Sequence, residues 1–284
     1  MRRFAVVFTL LAGALAAPAR AAEVGGPAAL RAKYASLQDA LAHNPFQRPL
    51  VLESQESDDR LAGDIYAVVE HPFAQVANNL KTPQAWCDVL MLHLNTKDCA
   101  VQRSAAQATL AVALGRKFEQ PLADTQQVAF RFRLANAGAD YLDVQLSADS
   151  GPLSTRDYRI ELTAAPVADG RTFIHLGYSY AYGTAARLAM KGYLATLGSD
   201  KVGFTQDRPN SYIGGVRGVV ERNTMRYYLA IDAYLDAPGP AQLGTRLGAW
   251  FDATERYARQ LHEVERADYL SMKQHEFERM RGAK

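Results

Sequence analysis

The sequence predicts an α+β fold, an antiparallel β-sheet combined with a long C-terminal α-helix. Three observations lead to it. Between Ala108 and Tyr182, five segments alternate apolar and polar residues with period two and are separated by turn residues. A hairpin pattern and two short helical patterns precede them. From Ala241 onward, Leu243, Leu247, Trp250, Thr254, Tyr257, Leu261 and Val264 recur at spacings of three and four, the stripe of one amphipathic helix.

Taken in order, the chain opens with Arg2 and Arg3, an apolar stretch from Phe4 to Ala17, and the small-x-small pattern Ala19-Arg20-Ala21. This is the layout of a secretory leader, so residues 1–21 are expected to be cleaved as a signal peptide and the protein to be periplasmic or secreted. The stretch is too short for a membrane span, which needs roughly 20 apolar residues. The leader holds three arginines and no acid, so the remaining chain carries 29 basic against 30 acidic side chains. A nucleic-acid footprint needs a basic surplus, and none is expected here.

Residues 22–48 form an N-terminal helical segment, with Pro27 to His43 rich in Ala and Leu and stopped by Asn44-Pro45. Leu50 to Glu56 and Arg60 to Glu70 read as a hairpin around Ser57-Asp58-Asp59, with Leu61, Gly63, Ile65, Ala67 and Val69 on one face. Helical spacing follows at Phe73, Val76, Ala77 and Leu80, and again at Trp86, Val89, Leu90 and Leu94 after Pro83. The strands expected next are Ala108 to Lys117, Gln127 to Leu134, Tyr141 to Ser147, Arg156 to Ala165 and Arg171 to Tyr182. Asn136-Ala137-Gly138 and Ala168-Asp169-Gly170 supply the turn residues. A helix from Thr184 to Leu197, with Gly198 as its stop, interrupts the series. Two further strands, Ser211 to Val220 and Met225 to Leu235, are expected before the final helix. Residues 265–284 are strongly charged and read as a helical tail fraying into solvent.

Cys87 and Cys99 are the only cysteines. In an oxidising compartment such a pair becomes a disulfide, and closing a loop of this size stabilises by about 3 kcal/mol on the chain-entropy model. A zinc site that recruits His93 is the sharper alternative, but eleven residues separate the cysteines where structural zinc sites place two to four. No metal or cofactor is expected; the six histidines lack metal spacing.

Pro152-Leu153-Ser154-Thr155-Arg156-Asp157-Tyr158 opens one of the strands, Pro72-Phe73-x-x-Val76 precedes a helix, and Trp86 sits near a helix end. With the element order, these segments resemble START-like lipid-binding domains of the SRPBCC superfamily, the helix-grip or Bet v 1-like proteins. The resemblance covers residues 49–264. It implies a curved antiparallel sheet wrapped around the long C-terminal helix, with a cavity between them for a lipid or sterol-like ligand. It also implies a binding protein rather than an enzyme, with transient membrane contact during exchange.

The residues expected to line that cavity are Tyr178, Tyr180 and Tyr182 on one strand face, Tyr227 on a later strand, and Leu247 and Trp250 on the final helix. Tyrosine offers apolar area and one hydroxyl, which suits an apolar molecule with one polar end. Arg156, with Asp157, is a polar pair at the cavity end or an ion pair that opens the strand. A cyclase or hydrolase on the same scaffold would need a convergent acid–base pair, for which His175 and Asp157 are the candidates. Gly177-Tyr178-Ser179-Tyr180-Ala181 is not a nucleophile elbow, because Ser179 lies inside an alternating strand. A solid core whose surface binds an envelope partner is the third reading.

Overall fold

Alternation does its work first in the hairpin. Strand β1 (Leu50–Glu56) pairs antiparallel with β2 (Arg60–Val69), whose odd-numbered residues face inward, as expected. A computed structural model of the chain describes residues 25–183, 188, 192, 201–209 and 211–282. The leader and most of the expected 184–197 helix lie outside them. Two short helices follow the hairpin, α3 (Phe73–Leu80) and α4 (Pro83–Leu90), the second capped by Thr82 accepting from the Ala85 amide. Ahead of the hairpin, the expected opening helix is two pieces, α1 (Pro27–Ser36) and α2 (Gln38–Ala42).

Six strands then run as β3 (Thr96–Arg103), β4 (Ala108–Leu114), β5 (Gln126–Ala137), β6 (Leu142–Ser150), β7 (Thr155–Pro166) and β8 (Thr172–Tyr182). All pair antiparallel in the order β1-β2-β8-β7-β6-β5-β4-β3, so β8 closes back onto the hairpin. The hairpin and the five strands expected between Ala108 and Tyr182 are present, and β3 is one the periodicity missed. Cys87 and Cys99 form a disulfide that ties α4 to β3.

The sheet grips a helix, and the fold is the helix-grip α+β class expected. The gripped segment is a different one. The two strands expected at 211–220 and 225–235 are instead a single helix, α5 (Gly215–Asp236), preceded by the small ribbon β9 (Gln206–Arg208) and β10 (Ser211–Tyr212). Helix α5 packs on β1, β2 and β8. Its buried residues include Val220, Glu221, Arg222, Thr224, Met225, Arg226, Tyr228, Leu229 and Ile231, which lie almost all round the helix. A helix buried on every side shows no single stripe, so local alternation at Met225, Tyr227, Leu229 and Ile231 imitated a strand.

The expected helix from Ala241 to Val264 is α6 (Leu243–Glu255) followed by the short α7 (Ala258–Leu261). Helix α6 packs on α5 and on α8 (Arg266–Gly282). The charged tail therefore does not fray. Its buried residues Tyr269, Met272, Lys273, Glu276, Phe277 and Met280 keep helical spacing. Two of them are charged, which hid the stripe. Helix α1 covers part of the other sheet face, where Leu30 packs with Val68, Ala165 and Phe173.

Candidate ligand-binding cavity

The concave face is not packed solid. Between β4, β5, β7 and β8 on one side and α4 and α5 on the other lies a cavity of about 680 Å³. Leu90, Val112, Leu114 and Phe130 supply its aliphatic and phenyl surface, and Tyr158, Tyr178 and Tyr227 its phenols. His93, Asn95, Thr96 and Asn223 add polar atoms. The rim is formed by exposed Arg116, Asp124 and Leu153. Apolar walls with few convergent polar groups are what a pocket for a hydrophobic ligand requires. A depression of about 570 Å³ on the other sheet face is lined by charged residues such as Arg131, Arg159 and Glu161 and offers no such surface.

Strand β8 turns Tyr178, Tyr180 and Tyr182 inward, all buried. Their rings continue into a cluster: Tyr178 lies 5.2 Å from Tyr227 and 5.6 Å from Tyr180, and Tyr180 stacks on Tyr158 at 5.3 Å. Tyr158 meets Phe130 edge-on at 6.1 Å, and Tyr227 lies 5.0 Å from His93. Of the expected cavity residues, the structure therefore brings Tyr178 and Tyr227 to the cavity wall, with Tyr180 one ring behind. Tyr182 sits at the strand end, where its hydroxyl donates to the Ser57 carbonyl at 3.3 Å.

Leu247 and Trp250 are not in the cavity. Both are buried on α6, and Trp250 Nε1 donates to the Arg226 carbonyl at 3.1 Å while its ring stacks on Tyr269. The expectation assigned them to the gripped helix, a place α5 takes. Arg156 is also outside. Asp157 has φ of 54° and forms a bulge, with the register shifting between Arg156 and Arg159. One extra residue reverses the facing of everything before it. Arg156 thus pairs with outward Ala181 and holds Asp59 at 3.0 Å, while Tyr158 points in. The Tyr158 hydroxyl bonds Thr155 Oγ1 at 2.6 Å.

Among the cavity-lining residues that the sequence reading did not assign to the cavity are Tyr158, Phe130 and His93. Parity along Tyr158, Ile160 and Leu162 was a usable signal for the first. His93 lies between α4 and β3, outside any regular element, and offered none.

His93 is only 4% exposed. Its Nδ1 accepts from the Asn95 amide at 3.1 Å, so the neutral ring carries its proton on Nε2. Nε2 has essentially no accessible surface, and the Asn223 side chain lies against the ring as a hydrogen-bonding neighbour. Burial, then the positive charges of Arg226 and Lys273, hold the His93 pKa well below the usual histidine value; the Asn223 amide acts in the opposite direction. Burial, with the neighbouring phenols, likewise pushes the Tyr178 and Tyr227 hydroxyls upward, so both remain neutral donors.

Two buried ionic groups lie behind this wall. Glu263 meets Arg226 at 2.8 Å, Lys117 at 2.7 Å and Lys201 at 3.5 Å. Burial raises the Glu263 carboxyl, and Arg226 and Lys117 more than offset it, leaving the pKa below the usual range. Glu276 bridges Lys97 at 2.9 Å and Lys273 at 2.8 Å, and burial brings Lys273 down to about 8.

Comparison with known proteins gives likeness of fold only. No family model matches the sequence and no curated protein matches it. Among solved structures, Ara h 8.0201 is 12% identical, with a TM-score of 0.37 over 62% of this chain and 97% of that one. Human StAR-related lipid transfer protein 5 is 6% identical, with a TM-score of 0.36 over 73% of this chain and 94% of that one. Truncated norcoclaurine synthase from Thalictrum flavum is 12% identical, with a TM-score of 0.35 over 51% and 91%. Such loose likeness carries nothing about ligand or activity.

Proposed function

We propose that the protein binds, and carries between membranes, a lipid or other hydrophobic small molecule held between the sheet and α5. The observation that carries this is the 680 Å³ cavity walled by Leu90, Val112, Leu114, Phe130 and three tyrosines. Burying an apolar body there is driven by roughly 25 cal/mol per Å² of surface removed from water. Export is part of the reading, supported by the leader at residues 1–21 and by the disulfide, which suits an oxidising compartment. Transient membrane contact is supported by Leu153, 62% exposed at the rim, and by Phe118, 56% exposed two residues after rim residue Arg116.

A binder is favoured over a catalyst by where the acid–base groups fall. His175 pairs with Asp64 at 2.8 Å on the convex face, with the sheet between that pair and the cavity. Asp157 is exposed on the bulge. At the cavity wall, His93 offers no free base: its Nδ1 accepts from the Asn95 amide and its Nε2 has essentially no accessible surface. The test is native mass spectrometry of protein purified from its own envelope, alongside a Leu114→Trp variant that fills the cavity. We expect a co-purifying apolar mass in the first and its loss in the second. If repeated preparations carry no such mass and no apolar probe binds, the reading fails.

A further inference from the structure

A second pocket, of about 490 Å³, lies where the turn ahead of β1 meets the β9–β10 ribbon and the junction of α6 and α7. It shares no lining residue with the cavity. Three of its side chains are the arginines Arg48, Arg256 and Arg259, and among the described residues no aspartate or glutamate lines it. The depression on the convex sheet face is different: its Arg131 is held by both oxygens of Asp149 at 2.6 Å, and Glu161 lines it too. Acids offset the arginines there, and largely do not here.

Arg48 donates to Asp232 at 2.8 Å, so one of the three charges is met. Arg256 and Arg259 are exposed, and among the described residues neither has a carboxylate within ion-pair distance. Arg259 lies over the Tyr212 ring, 4.7 Å from its centroid, a contact that leaves the N–H edge of the guanidinium open to an anion. The rest of the lining is mainly aromatic: Phe46, Phe204 and Tyr257 meet one another at 5.6 to 6.2 Å ring to ring. The Tyr257 hydroxyl donates to the Phe46 carbonyl at 3.0 Å, and Asn44 Oδ1 accepts from the Phe46 amide at 2.9 Å. The turn that carries Arg48 is therefore held in place before any ligand arrives, which lowers the cost of binding.

We propose that this pocket is a second binding site, separate from the cavity, and that it takes a phosphate monoester attached to an apolar or aromatic body. A carboxylate brings one charge and two oxygens, which a single guanidinium fork satisfies. A phosphate monoester brings about two charges and three terminal oxygens, enough to engage the forks of both Arg256 and Arg259. The three rings supply the surface against which the attached body desolvates, and the pocket is far larger than a phosphate group alone.

The test is calorimetric titration of the purified protein at pH 7.5 with phenyl phosphate and with phenyl sulfate, which has the same ring and shape but a single charge. Phenyl phosphate should bind at least about fivefold tighter, and Arg256→Gln and Arg259→Gln should each weaken it about tenfold. Both arginines are exposed, so these variants are expected to fold. Leu114→Trp, which fills the cavity, should leave phenyl phosphate binding unchanged within about twofold. Sedimentation with phosphatidylcholine vesicles containing phosphatidic acid, competed by phenyl phosphate and absent with phosphatidylglycerol in its place, would assign the phosphate to a lipid headgroup. Phenyl phosphate binding without such sedimentation would assign it to a soluble ester. Equal affinity for phosphate and sulfate, unchanged affinity in both arginine variants, or no binding of phenyl phosphate would overturn the site and leave the cavity reading standing. Loss of phenyl phosphate binding in Leu114→Trp would overturn its separateness by placing the ester in the cavity.

Discussion

The two halves of the concave sheet face make a useful contrast. Over β1, β2 and β8, helix α5 lies directly on the strands, and Gly63 is why it can: any Cβ there would run into Thr224 Oγ1 of α5. Over β4, β5 and β7 the sheet curves away, and the gap is bordered by phenol rings instead of being filled. The same alternating strands thus build a closed core on one side and a container on the other. What differs is the size of the inward residues and whether a helix can approach, not the strand pattern.

Matched truncations test the contrast most strongly. Leu61 is fully buried on the closed side, and Leu61→Ala should cost roughly 2–5 kcal/mol in denaturant unfolding. Leu114 borders the cavity, already lacks partners on one side, and Leu114→Ala should cost about 1 kcal/mol or less. Equal costs would mean that the open half is packed in solution. Next in size, Gly63→Val should wedge α5 off β2 and lose about 1–3 kcal/mol by overpacking, read from the same unfolding curves.

The smallest effect is a pH slope. His93 titrates far below the unfolded value of 6.5, so below pH 6.5 the unfolded chain binds the proton that the folded chain refuses. This group's contribution is fully present above the unfolded pKa and is lost as pH falls from 6.5 toward 5, by at most about 1.4 kcal/mol per pH unit. Unfolding free energies of the parent protein and of His93→Leu, compared at pH 7 and pH 5, should diverge by that term. Parallel curves would show that His93 is not closed off on the open half.

Legibility of the site followed the strength of the periodic signal. Strand β8 gave its facing correctly because Ile174, Leu176 and Tyr178 alternate without interruption. Arg156 was misplaced because the bulge at Asp157 rests on one backbone torsion, which residue types two apart do not encode. Helix α8 was read as solvated because Lys273 and Glu276 occupy buried positions, and only their pairing with each other and with Lys97 makes that tolerable. His93 entered the cavity through contacts distant in the chain, with Tyr227 and Asn223 of α5.

By itself, the sequence determined the α+β class, the hairpin, the meander and the inward tyrosines of β8. Each of these depends on residues near one another along the chain, where period and turn chemistry act directly. Tertiary structure decided which helix the sheet grips, which face Arg156 takes and where the polar groups of the cavity converge. Those outcomes depend on burial from several sides at once, and a segment enclosed by both sheet and helix carries no single stripe from which its surroundings can be read.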